Sequence, residues 1–218
     1  MTKSTPIPFT KVPGLSTLKS GFPSVKGLFF DMDGTLFNTE SIHADAMMMI
    51  AGKYHIRPPY SPEAVHQLMM GKADHLVFEI IKYWEGVPKD WTARDFITEK
   101  NANVITLLKR TDLSTYFSPL VQNLLNEAKL EGLYLSLITS SEKLVTEELL
   151  KITGLDNFFH LVLTRDDCPK HKPDPWPYLK AMEISGLETH EVIIFEDSHV
   201  GLEAATLSGP HVVKVEWY

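Results

Sequence analysis

The sequence predicts an α/β fold in which a parallel sheet carries helices on both faces and is interrupted, after its first strand, by an all-helical insertion. Two observations carry this. Beyond residue 115, short apolar runs alternate with helical patterns. Between residues 41 and 114 the apolar spacing is helical and no run reads clearly as a strand.

The elements follow in order. Residues 1–24 contain Pro6, Pro8, Pro13 and Pro23 with Gly14 and Gly21, and are predicted to be an irregular leader, because proline breaks helices and removes ladder donors. Val25 to Phe30 is an apolar run ending at Asp31, read as a buried strand, and Asp33-Gly34 supplies a turn. From Ser41 to Arg110 come helices, marked by Leu76, Ile80 and Tyr83 and by Val104, Leu107 and Leu108. They break at Pro58-Pro59, at Gly71 and around Gly86-Val87-Pro88. Leu120 to Glu131 is a predicted helix, Leu133 to Ile138 a strand, and Glu142 to Ile152 a helix closed at Gly154. Leu161 to Leu163 is a short strand, Pro175 to Ser185 a helix, Val192 to Phe195 a strand, Val200 to Leu207 a helix and Val212 to Val215 the last strand. This is a Rossmann-like core at residues 25–40 and 115–218, with a helical cap at 41–114. Open parallel sheets bind ligands beyond the carboxyl ends of their strands, so an insertion leaving from that edge is placed as a lid.

Composition narrows the function. The 218 residues are 44% hydrophobic and 22% charged, which is ordinary for a globular chain, and the formal net charge of -7 argues against a nucleic-acid partner. The single cysteine, Cys168, excludes an internal disulfide and has no neighbours that would activate it. No apolar run reaches membrane-spanning length, and the N-terminus lacks the continuous apolar stretch of a secretory signal. A cytoplasmic protein without a membrane partner is expected.

The residues that carry chemistry sit at strand ends. Asp31-Met32-Asp33-Gly34 ends the first strand, and two acids one residue apart can bring two carboxyl groups to one substrate atom, one attacking and the other handling a proton. Taken alone, the tetrapeptide is better read as a polar strand end. A Thr139-Ser140 pair after a strand is usually a helix cap, a lone lysine such as Lys172 is usually solvated, and Glu196-Asp197 usually starts a turn or helix.

In combination the four change meaning. Asp31-Met32-Asp33-Gly34-Thr35-Leu36, Thr139-Ser140, Lys172 in His171-Lys172-Pro173-Asp174-Pro175, and Glu196-Asp197-Ser198 with Gly201 occur in the order and on the elements of the haloacid dehalogenase (HAD) superfamily. Residues 25–216 resemble that superfamily, most closely the branch whose helical cap follows the first motif, which includes β-phosphoglucomutase and sugar-phosphate phosphatases. His43, at that branch's usual distance from the first motif, and the run from Phe195 to Ala205 support the assignment.

The resemblance implies a Mg²⁺-dependent phosphatase acting on a small phosphomonoester, a sugar or polyol phosphate, through an aspartyl-phosphate. Asp31 would be nucleophile and metal ligand, Asp33 the acid–base and a ligand through its carbonyl, and Asp197 and Glu196 the remaining metal acids. Thr139 and Ser140 would hold phosphoryl oxygens, and Lys172 would offset their charge and orient Asp31. Cap residues His43, Lys72 and Lys100 would meet the substrate, and the state implied is a monomer or weak homodimer. An acid at position 33 is what the superfamily's phosphatases and mutases have and its dehalogenases lack.

Three departures stand out. Gly71-Lys72-Ala73-Asp74 places an acid where the mutase carries a phosphate-binding arginine, which favours phosphatase over the alternative of a hexose-phosphate mutase. Trp176 replaces an acid that would orient Lys172. The chain stops just after the Val212–Val215 strand, leaving the sheet edge beyond it open, covered by the leader, or paired with another subunit. A catalytically silent binding module is the remaining alternative, disfavoured because the acids and the lysine are all present.

Overall fold

The computed structural model describes residues 7–8, 12–69 and 73–217. Its strands are β1 (Ile7–Pro8), β2 (Gly27–Phe30), β3 (Tyr134–Ile138), β4 (Leu161–Leu163), β5 (Val192–Glu196) and β6 (His211–Lys214). They form one parallel sheet in the order β1-β6-β5-β2-β3-β4. The central strands are apolar along their length because both faces are covered, so alternation is lost: β2 and β5 are buried at every residue.

The register positions the chemistry. Phe30 is paired with Leu137 on one side and Phe195 on the other, so the residues that follow them, Asp31, Ile138 and Glu196, stand at one level at the strand ends. From β2 the chain goes outward to β3 and β4, then returns to build β5 and β6 on the other side. That reversal creates the crevice at which open α/β sheets bind ligands. The crossover helices are α6 (Pro119–Leu130), α7 (Lys143–Ile152), α8 (Trp176–Ser185) and α9 (His199–Ser208). One core cluster joins Phe29, Ile138, Tyr178, Ala181, Ile194, Ala204 and Val212, with Trp176 packed against it.

The leader differs from the sequence expectation. Leu15–Gly21 is a helix, α1, rather than irregular chain. The prolines lie outside it, at Pro13 and Pro23, while Leu15 and Leu18 share a face and are each 1% exposed. Leu15 N–H donates to Glu127 of α6 at 3.3 Å, and Lys19 pairs with Glu131. Proline density over the whole leader hid a short proline-free segment with helical apolar spacing. Ile7–Pro8 lies parallel to β6, so the leader covers the edge beyond the last core strand.

The chain divides into two compact units, Met1–Thr39 with Leu113–Tyr218, and Glu40–Asp112. The second unit consists of α2 (Glu40–Lys53), α3 (Pro62–Met69), α4 (Asp74–Ile81) and α5 (Ala93–Leu108). Its core is Ile50, Val77, Phe78, Ile81 and Phe96. Thr92 opens α5 with a capping box, its backbone N–H donating to Asp95 at 2.9 Å and its hydroxyl accepting from the Asp95 N–H at 3.3 Å. In the first unit, the chain segments leaving and re-entering the core are tied together. Asn38 N–H donates to the Tyr116 carbonyl at 2.9 Å, Phe37 bridges Phe117 antiparallel, and their rings lie 5.0 Å apart.

Candidate active site

Asp31 follows β2 directly, and its backbone N–H continues the ladder to the Phe195 carbonyl at 3.0 Å. Its side chain is buried, and Oδ1 accepts from Lys172 Nζ at 2.6 Å. Lys172 reaches this point with its side chain only 3% exposed, and Nζ has two further acceptors: Glu196 Oε1 at 2.6 Å and the Ile138 carbonyl at 2.9 Å.

Glu196, the last residue of β5, is fully buried. Oε1 accepts from Lys172 and from the Tyr178 hydroxyl at 2.8 Å. Oε2 accepts from the backbone N–H groups of Asp197 at 3.1 Å and Ser198 at 3.4 Å, and from the Ser198 hydroxyl at 3.3 Å. Ser198 also caps α9, accepting from Gly201 N–H at 3.1 Å. A Cβ at position 201 would stand 1.9 Å from Glu196 Oε1, so glycine is required there by space. Gly34 is required twice over: its φ is 81°, and a Cβ would lie 2.2 Å from Asp197 Oδ2.

The remaining acids are also held. Asp197 Oδ1 accepts from the Thr35 hydroxyl at 3.0 Å. Both carboxylate oxygens of Asp33 accept hydroxyls, Oδ1 from Thr39 and Oδ2 from Ser141, each at 2.5 Å. Thr139 is buried after β3, where its Oγ1 accepts from Ser141 N–H at 3.0 Å, whereas Ser140 is exposed.

The electrostatics are those of a crowded anionic centre. Asp31, Glu196 and Asp197 each offer a carboxylate oxygen, all within 4.8 Å of one another. Burial, then the charges of Glu196 and Asp197, push Asp31 well above the ordinary carboxylate range, against the pull of Lys172. Burial and Glu196 push Asp197 up to about 7. Burial works to lower Lys172, but Asp31 and Glu196 outweigh it and hold the ammonium well above its ordinary value. Burial and Glu196 raise the Tyr178 phenol, which stays protonated and a donor. One ammonium against three carboxylates leaves the cluster short of positive charge. Three hard oxygen donors with that deficit fit a Mg²⁺-class dication.

The structure therefore gathers Asp31, Asp33, Thr139, Lys172, Glu196 and Asp197 in the first unit. His43 lies on α2 and Lys100 on α5, in the second; Lys100 is buried and paired with Asp74. Lys72 lies outside the described residues. The acid absent at position 176 is not needed to hold Lys172, because Glu196 takes that place. Sequence reasoning missed Thr35, Thr39, Ser141 and Tyr178. Thr35 lies inside the first motif and Thr39 and Ser141 adjoin motifs, while Tyr178 is on the buried face of α8, a position indistinguishable in sequence from plain core.

Fold and site define a carboxylate-centred α/β enzyme with its chemistry at parallel strand tips. The chain belongs to the haloacid dehalogenase-like hydrolases, whose family profile matches residues 28–215. It is 30% identical to a phosphoglycolate phosphatase of Thiobacillus denitrificans, over 85% of this chain and 80% of that one. It is 28% identical to a phosphorylated carbohydrates phosphatase of Thermotoga maritima, over 85% and 82%. The crystal structure of CbbY from Rhodobacter sphaeroides in complex with phosphate superposes with a TM-score of 0.78 at 22% identity, covering 89% of this chain and 87% of that one, a likeness of fold.

Proposed function

We propose that this protein is a Mg²⁺-dependent phosphatase that hydrolyses a small sugar or polyol phosphate through an aspartyl-phosphate on Asp31. The observation that carries this is Asp31 held by Lys172 at 2.6 Å beside two further carboxylates within 4.8 Å. The phosphatases among its relatives support the reaction class, and the phosphorylated carbohydrates phosphatase supports the substrate class.

Asp31 and Asp197, with Glu196 and the Asp33 carbonyl, would hold the Mg²⁺. The ion supplies the charge neutralisation that lets a carboxylate approach a phosphoryl group. Lys172 steadies Asp31 and offsets charge on the phosphoryl oxygens, which Thr139 and Ser140 help to hold. An Asp31 oxygen attacks phosphorus, the ester P–O bond breaks, and Asp33 delivers a proton to the departing alcohol. Water then attacks the aspartyl-phosphate, Asp33 takes its proton, inorganic phosphate leaves and Asp31 is restored. Thr39 and Ser141 hold Asp33 between these transfers. In the insertion, His43 and Lys72 are proposed to select the substrate, and Lys100 does so together with Asp74, which holds its ammonium. Among the described residues no helix is long and apolar enough to cross a membrane. A cytoplasmic monomer or weak homodimer acting on a dissolved ester is proposed.

The test is a screen of phosphate esters with Mg²⁺, with Asp31→Asn as control. Release of inorganic phosphate by the unsubstituted protein alone is expected. Near-normal turnover by a folded Asp31→Asn variant sinks the nucleophile assignment. Conversion of β-glucose 1-phosphate to glucose 6-phosphate in place of free phosphate makes the protein a mutase.

A further inference from the structure

Tyr178 has a place in the site that packing alone does not explain. It is fully buried on α8 in the core cluster with Phe29, Ile138, Ile194 and Ala204, where a phenylalanine would fill the same space. Burying a hydroxyl is unfavourable unless it is bonded. This one is bonded, and to the most enclosed carboxylate of the site: Glu196 Oε1 accepts it at 2.8 Å. The same ring lies beneath the catalytic lysine, with Lys172 Nζ 5.0 Å from its centroid. One aromatic residue thus touches both members of the Lys172–Glu196 pair.

The chain also has a reason to need it. Trp176 stands where an acid would otherwise steady the lysine, and it packs into the core cluster. Lys172 therefore depends on Glu196 for its second carboxylate contact. The terminal torsion of a glutamate is soft. Glu196 Oε2 is fixed by the N–H groups of Asp197 and Ser198, while Oε1 has the Tyr178 hydroxyl beside Lys172.

We propose that Tyr178 is a positioning residue of the reaction, its hydroxyl locking Glu196 so that Glu196 holds Lys172 on Asp31. Its effect on rate rests on the phosphatase reading; its effect on Lys172 does not. Reacting groups lose rate steeply when displaced by about 1 Å, so a lysine freed to wander is felt at Asp31.

The experiment is Tyr178→Phe, which keeps the ring and removes one donor. With p-nitrophenyl phosphate and saturating Mg²⁺, kcat should fall about tenfold, the scale of one hydrogen bond to a charged group. KM should change less than about twofold, and the melting temperature should fall by only a few degrees, the scale of that one lost bond, since the core is still filled. In a ¹⁵N-lysine-labelled sample without substrate, the Lys172 ammonium signal should shift and exchange faster with water than in the unsubstituted protein. In the unsubstituted protein, a slowly exchanging Tyr178 hydroxyl proton should show a cross-peak to Lys172, a measurement that needs no variant to fold. An unchanged kcat, an unmoved Lys172 signal, or absence of the protected hydroxyl overturns the proposal. Should the unsubstituted protein hydrolyse no phosphate ester, the phosphatase reading fails, and the Lys172 and hydroxyl signals still decide what Tyr178 does.

Discussion

Replacing Asp197 with asparagine should make the metal-free protein more stable at alkaline pH. Burial and the neighbouring Glu196 hold the Asp197 carboxyl at about 7, against an ordinary value of 3.8. The unfolded chain therefore releases this proton at a lower pH than the folded one. Between those two values the folded state binds more protons, so stability falls as pH rises through the window and levels off above it. Asp31, pushed in the same direction, adds to the slope. A shift of about three units at about 1.4 kcal/mol each gives an upper figure near 4 kcal/mol for Asp197, and its partial contact with solvent reduces this to about 2–4 kcal/mol. For a chain of this length that is roughly 4–16 °C in melting temperature. Asparagine cannot ionise, and its Oδ1 can still accept the Thr35 hydroxyl. Differential scanning fluorimetry in EDTA should show Asp197→Asn melting several degrees above the unsubstituted protein at pH 8, by less than half that margin at pH 5, and close to it at pH 4. Millimolar Mg²⁺ at pH 8 should raise the unsubstituted protein and leave the variant nearly unmoved, because ligand binding stabilises only where the ligand set is intact. If the unsubstituted protein melts at the same temperature at pH 5 and pH 8 without metal, the carboxylates do not repel one another as argued.

Gly201→Ala should destabilise by more than about 3 kcal/mol, since a Cβ 1.9 Å from Glu196 Oε1 forces a buried carboxylate out of its bonds; chemical denaturation checks this. Lys172→Ala should cost about 3–5 kcal/mol by leaving Asp31 and Glu196 without their shared cation, and phosphate release should drop below detection. Asp33→Asn should fold normally and lose about 10²–10⁴-fold in kcat, the usual worth of a general acid–base group, measured against the same esters. Leu18→Ala should cost about 2–5 kcal/mol, because Leu18 is 1% exposed beneath α1, whereas an irregular leader would tolerate the change; denaturant midpoints distinguish the two.

Much of this was legible in the chain. Parallel strands buried on both faces appear as unbroken apolar runs, and the acids that end them are conspicuous by contrast, so Asp31, Glu196 and Asp197 were found together with their strands. The α-helical insertion announced itself by period and by its breaks at proline and glycine. Other features were written in three dimensions only. The helix at Leu15–Gly21 owes its stability to α6, far away in sequence. Tyr178 reads as core until its hydroxyl is seen on Glu196. Ser141 reads as a helix-start residue until its hydroxyl is seen on Asp33, beyond the end of the neighbouring strand β2. The partner of Lys172 could not be read either, because the expected orienting acid belongs at position 176, the start of α8, and the actual one comes from β5.

The tie between Asn38 and Tyr116, with Phe37 against Phe117, has a consequence for how such a chain can change over time. Both ends of the excursion are fastened to each other within the sheet-bearing unit, so the sheet closes at that point whatever lies between. The entropy of closing a loop grows only logarithmically with its length, and a clasped base makes the excursion a cassette. Segments of different size can be exchanged there without re-engineering the strand tips, because the clasp fixes where the chain leaves and rejoins the sheet whatever the excursion contains.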